Sequence, residues 1–161
     1  MKNSWVVNAS SLILLAKVGR IHLLLDLSET LVIPASVAVE IEAGPASDPA
    51  VLWLRSKGGH WVQADLPVEP AIAAWDLGNG ETAALNWACQ RPGFEAILDD
   101  RAARKCALIQ RLPYRGTLGV ILAAKKQGLI PAAKPLCDQV VKAGLLIDQT
   151  LLQSALGLVG E

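Results

Sequence analysis

The chain has 161 residues, 52% of them hydrophobic, with 15 basic and 15 acidic side chains and a formal net charge of zero. This composition excludes a disordered polyelectrolyte and predicts a single domain, residues 1–161, with a sizeable core. The longest apolar runs, such as LILLA and VILAA, fall far short of the roughly 20 residues that span a bilayer, so no membrane association is expected.

The β-branched run SWVVN predicts a first strand, and ASSLILLAKVGR behind it a helix with serines suited to N-capping, apolar positions spaced near 3.6, and Gly19 as terminator. TLVIPASVAVEIEAG repeats that grammar, with a strand over 31–33, Pro34 at a first helical position and Gly44 at the end. SDPAVLWLRSKGG predicts a helix capped by Asp48 and opened by Pro49, and HWVQAD a third strand. In EPAIAAWDLGNGETAALNWACQ two helical segments flank the loop LGNG, and Glu81 starts the second. EAILDD reads as the fourth strand, followed by a helix from Asp100 to about Leu112. PYRG is a brief fifth strand, Thr117 caps LGVILAAKKQG, and PAAKPLCDQVVKAG and DQTLLQSALGLVGE form two closing helices.

Short strands alternating with helices predict an α/β fold in which a parallel sheet is covered on both faces. Ligands of such sheets bind beyond the carboxyl ends of the strands. That edge is expected to carry Asn8, Asp99, Asp100 and Thr117. The three cysteines, Cys89, Cys106 and Cys137, are odd in number and set in helical patterns, which predicts reduced, buried thiols rather than disulfides or a zinc cluster. With no leader pattern ahead of the first strand, the expected compartment is the cytoplasm.

No phosphate-binding glycine loop of the P-loop or dinucleotide type occurs, because GNG lies between two helices. The only histidines, His22 and His60, pair convincingly with no Ser or Cys nucleophile. What remains is a set of oxygen donors: Asn8, Glu40, Glu42, Glu81, Asp99 and Asp100. Gathered carboxylates repel one another, and hard oxygen ligands favour Mg²⁺ or Mn²⁺, so metal-assisted phosphodiester hydrolysis is the natural chemistry.

Each donor also has a plain structural role open to it. Asp100 can be a helix cap, Glu81 a first-turn carboxylate facing the helix dipole, Asn8 the holder of a turn, and Glu40 and Glu42 a solvated face. At about 1.5 Å per residue, Glu40 falls roughly 9 Å beyond Pro34, down a helix leaving the edge. The stretch from Arg91 to Lys126 is locally basic: Arg101, Arg104, Lys105, Arg111, Arg115 and Lys125 face only Glu95, Asp99 and Asp100.

The segments VVNASSLILLAKVGR, VIPASVAVEIEAG, GNGETAALNWA, ILDDRAARKCA and GTLGVILAAKKQGLI occur in the order and context of PIN domains, and nearly the whole chain resembles the DUF3368 group of prokaryotic PIN proteins, often described as VapC-like toxins. The resemblance implies a three-layer αβα fold and a Mg²⁺- or Mn²⁺-dependent ribonuclease. Members are often the toxin of a toxin–antitoxin pair, commonly dimerise, and are neutralised by a small cognate antitoxin.

Carried over by residue, the family's first acidic position falls on Asn8, followed by Ser10 in the Asp-x-Ser pattern. The later acids fall on Glu40, Glu81 and the doublet, with Asp100 the better match and Asp99 adjacent. On this reading Asn8, Glu40, Glu81 and Asp100 hold the metal with Asp99 beside them. Ser10 and Thr117 orient water or phosphate, and Arg101, Arg104, Lys125 and Lys126 contact the RNA backbone. Asn8 departs from the acidic pattern, which motivates a second reading: a silent PIN domain that binds RNA or an antitoxin-like partner without cutting. A receiver-like phosphoacceptor domain ranks below both, since its acidic pair is expected after the first strand rather than the fourth.

Overall fold

The computed structural model describes residues 3–161. Its centre is strand β1 (Asn3–Val7), which pairs in parallel with β2 (Ser28–Pro34) on one side and β4 (Phe94–Ile97) on the other. β3 (Val62–Gln63) lies outside β2, and β5 (Tyr114–Arg115) outside β4. The order β3-β2-β1-β4-β5 is all parallel, and the direction of winding reverses beside β1. That reversal opens a crevice between the carboxyl ends of β1 and β4.

Helices cover both faces: α1 (Ala9–Lys17), α2 (His22–Leu27), α3 (Ala35–Glu42), α4 (Pro49–Ser56), α5 (Pro70–Ala73), α6 (Asn79–Gln90), α7 (Arg101–Ile109), α8 (Thr117–Lys126), α9 (Lys134–Lys142) and α10 (Gln149–Gly157). Successive strand residues point to opposite faces, and the buried clusters divide accordingly. Trp5, Val7, Leu31, Ile33 and Ile97 share one buried cluster with residues of α1, α2, α3, α4, α8, α9 and α10, whereas Val6, Val32, Ala96 and Leu98 share the other with residues of α5, α6 and α7. The fold is therefore the three-layer α/β arrangement of five parallel strands. Among the described residues no helix is long and apolar enough to cross a membrane.

Several boundaries differ from expectation. The second strand starts at Ser28 rather than Leu31, because α2 ends at Leu27, the Ser28 hydroxyl turns back onto the Leu24 carbonyl at 2.5 Å, and the polar residues pair directly with β1. Of HWVQAD only Val62 and Gln63 form strand, the preceding Gly58–Trp61 being a 3-10 turn. Pro34 is the N-cap of α3 as well as the last residue of β2, and Thr117 is the first residue of α8, with Gly116 at the cap. The helix behind Asp100 stops at Ile109, beyond which Arg111 turns left-handed at φ 56°. Cys106 and Cys137 are buried, Cys89 is exposed, and all three are free thiols.

Candidate metal and phosphodiester site

The switch point is built from helix starts. Asn8 follows β1 and is the N-cap residue of α1. Its backbone N–H donates to the Ile97 carbonyl at 2.9 Å, which ties the end of β1 to the end of β4. Its side chain does not cap the helix. Asn8 is only 2% exposed, and its Oδ1 is buried without a hydrogen-bond donor. Leaving such an oxygen unpaired costs about 1–3 kcal/mol, which a ligand at that point would relieve.

Glu40 reaches the same place by a route that helix spacing obscures. α3 packs across α6, and the second residue of α6 is Gly80. A Cβ built on Gly80 would stand 3.2 Å from both Asn8 Oδ1 and Glu40 Oε1 and 3.4 Å from Val37 Cγ2. The missing side chain is what lets the two oxygens close on the start of α6. The amino end of α3 is held in turn by Asp65, which accepts from the Ser36 amide at 3.0 Å and from the Ser36 hydroxyl.

Glu81 follows Gly80. Its Oε2 accepts from the Gly78 amide at 3.1 Å, the carboxylate half of a capping box. Partial burial first, and the nearby Asp100 carboxylate second, push the Glu81 carboxyl above its ordinary range; the Gly78 bond opposes this and Glu40 adds to it. Asp100 caps α7, accepting from the Ala103 amide at 2.9 Å through Oδ2. The capping roles of Asp100 and Glu81 are thus real, and each leaves one carboxylate oxygen without a donor among the described residues.

Asp99 differs from its neighbour. Its Oδ1 accepts from the Thr117 amide at 2.7 Å, and its Oδ2 from the hydroxyls of Thr117 at 2.5 Å and Ser11 at 3.0 Å. Ser11 and Thr117 are both fully buried. This knot joins the end of β4 to the starts of α1 and α8. Gly116 completes it, since a Cβ there would lie 2.9 Å from Asp99 Oδ1.

Ser10 is exposed on the first turn of α1, beside rather than within the knot. Arg104 extends over the Tyr114 ring, 5.4 Å from its centroid, with a guanidinium nitrogen near Gly116; Arg101 is exposed at the first position of α7. Lys125 and Lys126 sit at the other end of α8, about 12 Å of helix from Thr117. Lys125 is committed to the Pro131 carbonyl at 2.7 Å. The structure does not bring this pair to the edge.

Among the described residues no three Asp, Glu, His or Cys side chains cluster tightly enough to hold an ion by themselves. Three carboxylates and one orphaned amide oxygen nevertheless face one crevice, and among the described residues none of the three carboxylates is in an ion pair; hard divalent ions take such oxygen sets. The donor chemistry fits Mg²⁺ or Mn²⁺. Ser11, Gly80, Gly116 and Asp65 are the contributors that sequence reasoning missed. The two glycines left a signal, in that each directly precedes a candidate functional residue, Glu81 or Thr117.

A family model described as DUF3368, PIN domain, matches residues 4–161. The chain belongs to the PIN-domain family. PIN domains are generally metal-dependent nucleases, and membership sets aside the receiver-like alternative. No curated protein matches this PIN domain significantly.

Proposed function

We propose that this PIN domain is a Mg²⁺- or Mn²⁺-dependent endoribonuclease and the toxin of a toxin–antitoxin pair, a homodimer neutralised by a small protein antitoxin and acting in the cytoplasm as one domain. The observation that carries the nuclease reading is the buried, unpartnered Asn8 Oδ1, facing Glu40 across Gly80. Asn8, Glu40, Glu81 and Asp100 form the proposed ligand set.

Held by these side chains, the ion would supply Lewis-acid activation of water and offset the charge that builds on the phosphodiester. The protein supplies the rest. Asp99 spends its hydrogen-bond capacity on Ser11 and Thr117 and so positions the starts of α1 and α8 around the crevice. Glu81, with Oε2 occupied by the Gly78 amide, keeps Oε1 free for the ligand set. Ser10, exposed at the mouth, is suited to a phosphate oxygen, whereas the Thr117 hydroxyl is committed to Asp99. No histidine takes part: His22 opens α2 and His60 lies in the 3-10 turn.

The test is incubation of the purified chain with end-labelled single-stranded RNAs of mixed sequence. Cleavage is expected with Mg²⁺ or Mn²⁺, is expected to stop in EDTA, and should return on adding Mn²⁺. EDTA-resistant cleavage would contradict metal dependence. The second reading, binding without cutting, is favoured by one feature, the amide at Asn8 where the family pattern is acidic. RNA binding without cleavage under every metal condition would establish it instead.

A further inference from the structure

The two banks of the crevice carry opposite charge. From residue 58 to residue 90 there is no Lys or Arg, while Asp65, Glu69, Asp76 and Glu81 fall in that stretch. It supplies α5, the loop to α6, and α6 itself. The other bank is α7, whose residues 101–109 include Arg101, Arg104 and Lys105 and no acid. All three are exposed. The ion pairs among the described residues use Arg55, Arg115 and Lys134, and no carboxylate lies within 4 Å of Arg101, Arg104 or Lys105.

Their placement is ordered. Residues three and four apart share a helix face, so Arg101, Arg104 and Lys105 form one ridge starting directly behind Asp100. Arg104 is held by the Tyr114 ring, which reduces the freedom a guanidinium loses on binding. Unpaired cations on one bank and acids without an ion-pair partner among the described residues on the other give a polyanion one favourable approach.

We propose that α7 is the substrate track: single-stranded RNA enters along Arg101, Arg104 and Lys105, with its phosphates on this ridge, and reaches the crevice from the β4–β5 side, while the 58–90 bank repels it. This rests on the nuclease reading and adds a direction to it. The ridge contacts backbone, so it contributes affinity and salt dependence but no base preference. Lys125 and Lys126, at the far end of α8, stand off the track.

The experiment measures binding of a fluorescein-labelled single-stranded RNA of mixed sequence by anisotropy in EDTA, where nothing is cleaved, over a series of salt concentrations. The proteins are wild type, the triple variant R101A/R104A/K105A, the charge-reversed Lys105→Glu, and Lys142→Ala as a distant basic control on α9. The triple variant is expected to bind at least about tenfold more weakly, with the slope of log affinity against log salt shallower by about 2, near 0.7 per lost contact. Lys105→Glu should weaken binding several-fold, and Lys142→Ala should match wild type. Circular dichroism and melting curves establish that each variant is folded. Loss of the same size in Lys142→Ala, or unchanged affinity and slope in the triple variant, would overturn the track. Metal-dependent cleavage by wild type, assayed separately, would still stand in that case, which separates failure of the track from failure of the nuclease reading. RNA binding by the wild type too weak to measure would overturn the track as well.

Discussion

Asp99 and Asp100 are adjacent in the chain, yet they belong to two regions of the sheet edge that spend their polar groups in opposite ways. Around Asp99 every group is matched: three donors from Ser11 and Thr117 meet two carboxylate oxygens. Around Asp100 the balance is left open, with a buried Asn8 oxygen lacking any donor and a Glu81 carboxyl raised by burial and by its acidic neighbours. A saturated region holds shape, and an unsaturated one holds a place for a ligand. The contrast teaches that position at a strand end gathers the candidates, but hydrogen-bond accounting separates Asp99, which braces the edge, from Asp100, the residue proposed as a ligand.

Breaking the open side should have the largest effect. Asp100→Asn keeps a capping oxygen for Ala103 but removes a ligand charge. Its loss of Mn²⁺ affinity and of RNA cleavage should exceed the roughly 100-fold upper end seen when a group that merely orients ligands is lost. Calorimetric titration with Mn²⁺ and the cleavage assay both read it, and wild-type values would contradict the ligand assignment.

Breaking the saturated side should act through structure. Asp99→Asn turns an amide toward two hydroxyls, and we expect a stability loss of about 1–3 kcal/mol by urea unfolding, together with a fall in cleavage of about 10- to 100-fold. A variant that lost activity without losing stability would show Asp99 to be a ligand in its own right. Asn8→Asp sharpens the comparison from the other direction. A fourth carboxylate should raise Mn²⁺ affinity by about tenfold and lower melting temperature in EDTA, because it adds repulsion to Glu40, Glu81 and Asp100. Equal affinities in the two proteins would remove electrostatics as the meaning of this asparagine.

The smallest expected effect is on pH dependence. Because Glu81 is raised in the folded chain above the ordinary 4.5, the folded state holds a proton there that the unfolded state has released. Stability in EDTA should therefore fall as pH rises from about 4.5 through the raised value, and level off above it. Glu161 is held below its ordinary range by the Ala133 and Lys134 amides, and its contribution is present above 4.5 and lost as pH falls through the lowered value. The difference between wild type and Glu81→Gln isolates the Glu81 component, and identical profiles would contradict it.

The sheet was legible because β1 and the end of β4 carry the short apolar runs Trp5–Val7 and Ala96–Leu98 bounded by turn chemistry, and the two-faced burial of Val6 and Val7 follows from their alternation. β2 began earlier than expected because backbone pairing, not hydrophobicity, recruits Ser28 to Thr30. The acids at strand ends and helix starts were legible from order alone, while Glu40 required the crossing of α3 over α6 and an absent side chain at Gly80, neither of which periodicity carries. Ser11 was missed in favour of Ser10 because a helix turns about 100° per residue, and only the inward one reaches Asp99. Lys125 and Lys126 looked like part of a basic stretch in sequence, but ten residues of α8 carry them away from the edge.

The most direct test is a crystal soaked in Mn²⁺ and measured at the metal's absorption edge. The account predicts one or two anomalous peaks among Glu40, Glu81 and Asp100, with Asn8 Oδ1 turned toward them and Asp99 still bound to Ser11 and Thr117. No peak at saturating Mn²⁺, or a peak held by Asp99 with its hydrogen bonds to Ser11 and Thr117 broken, would contradict it.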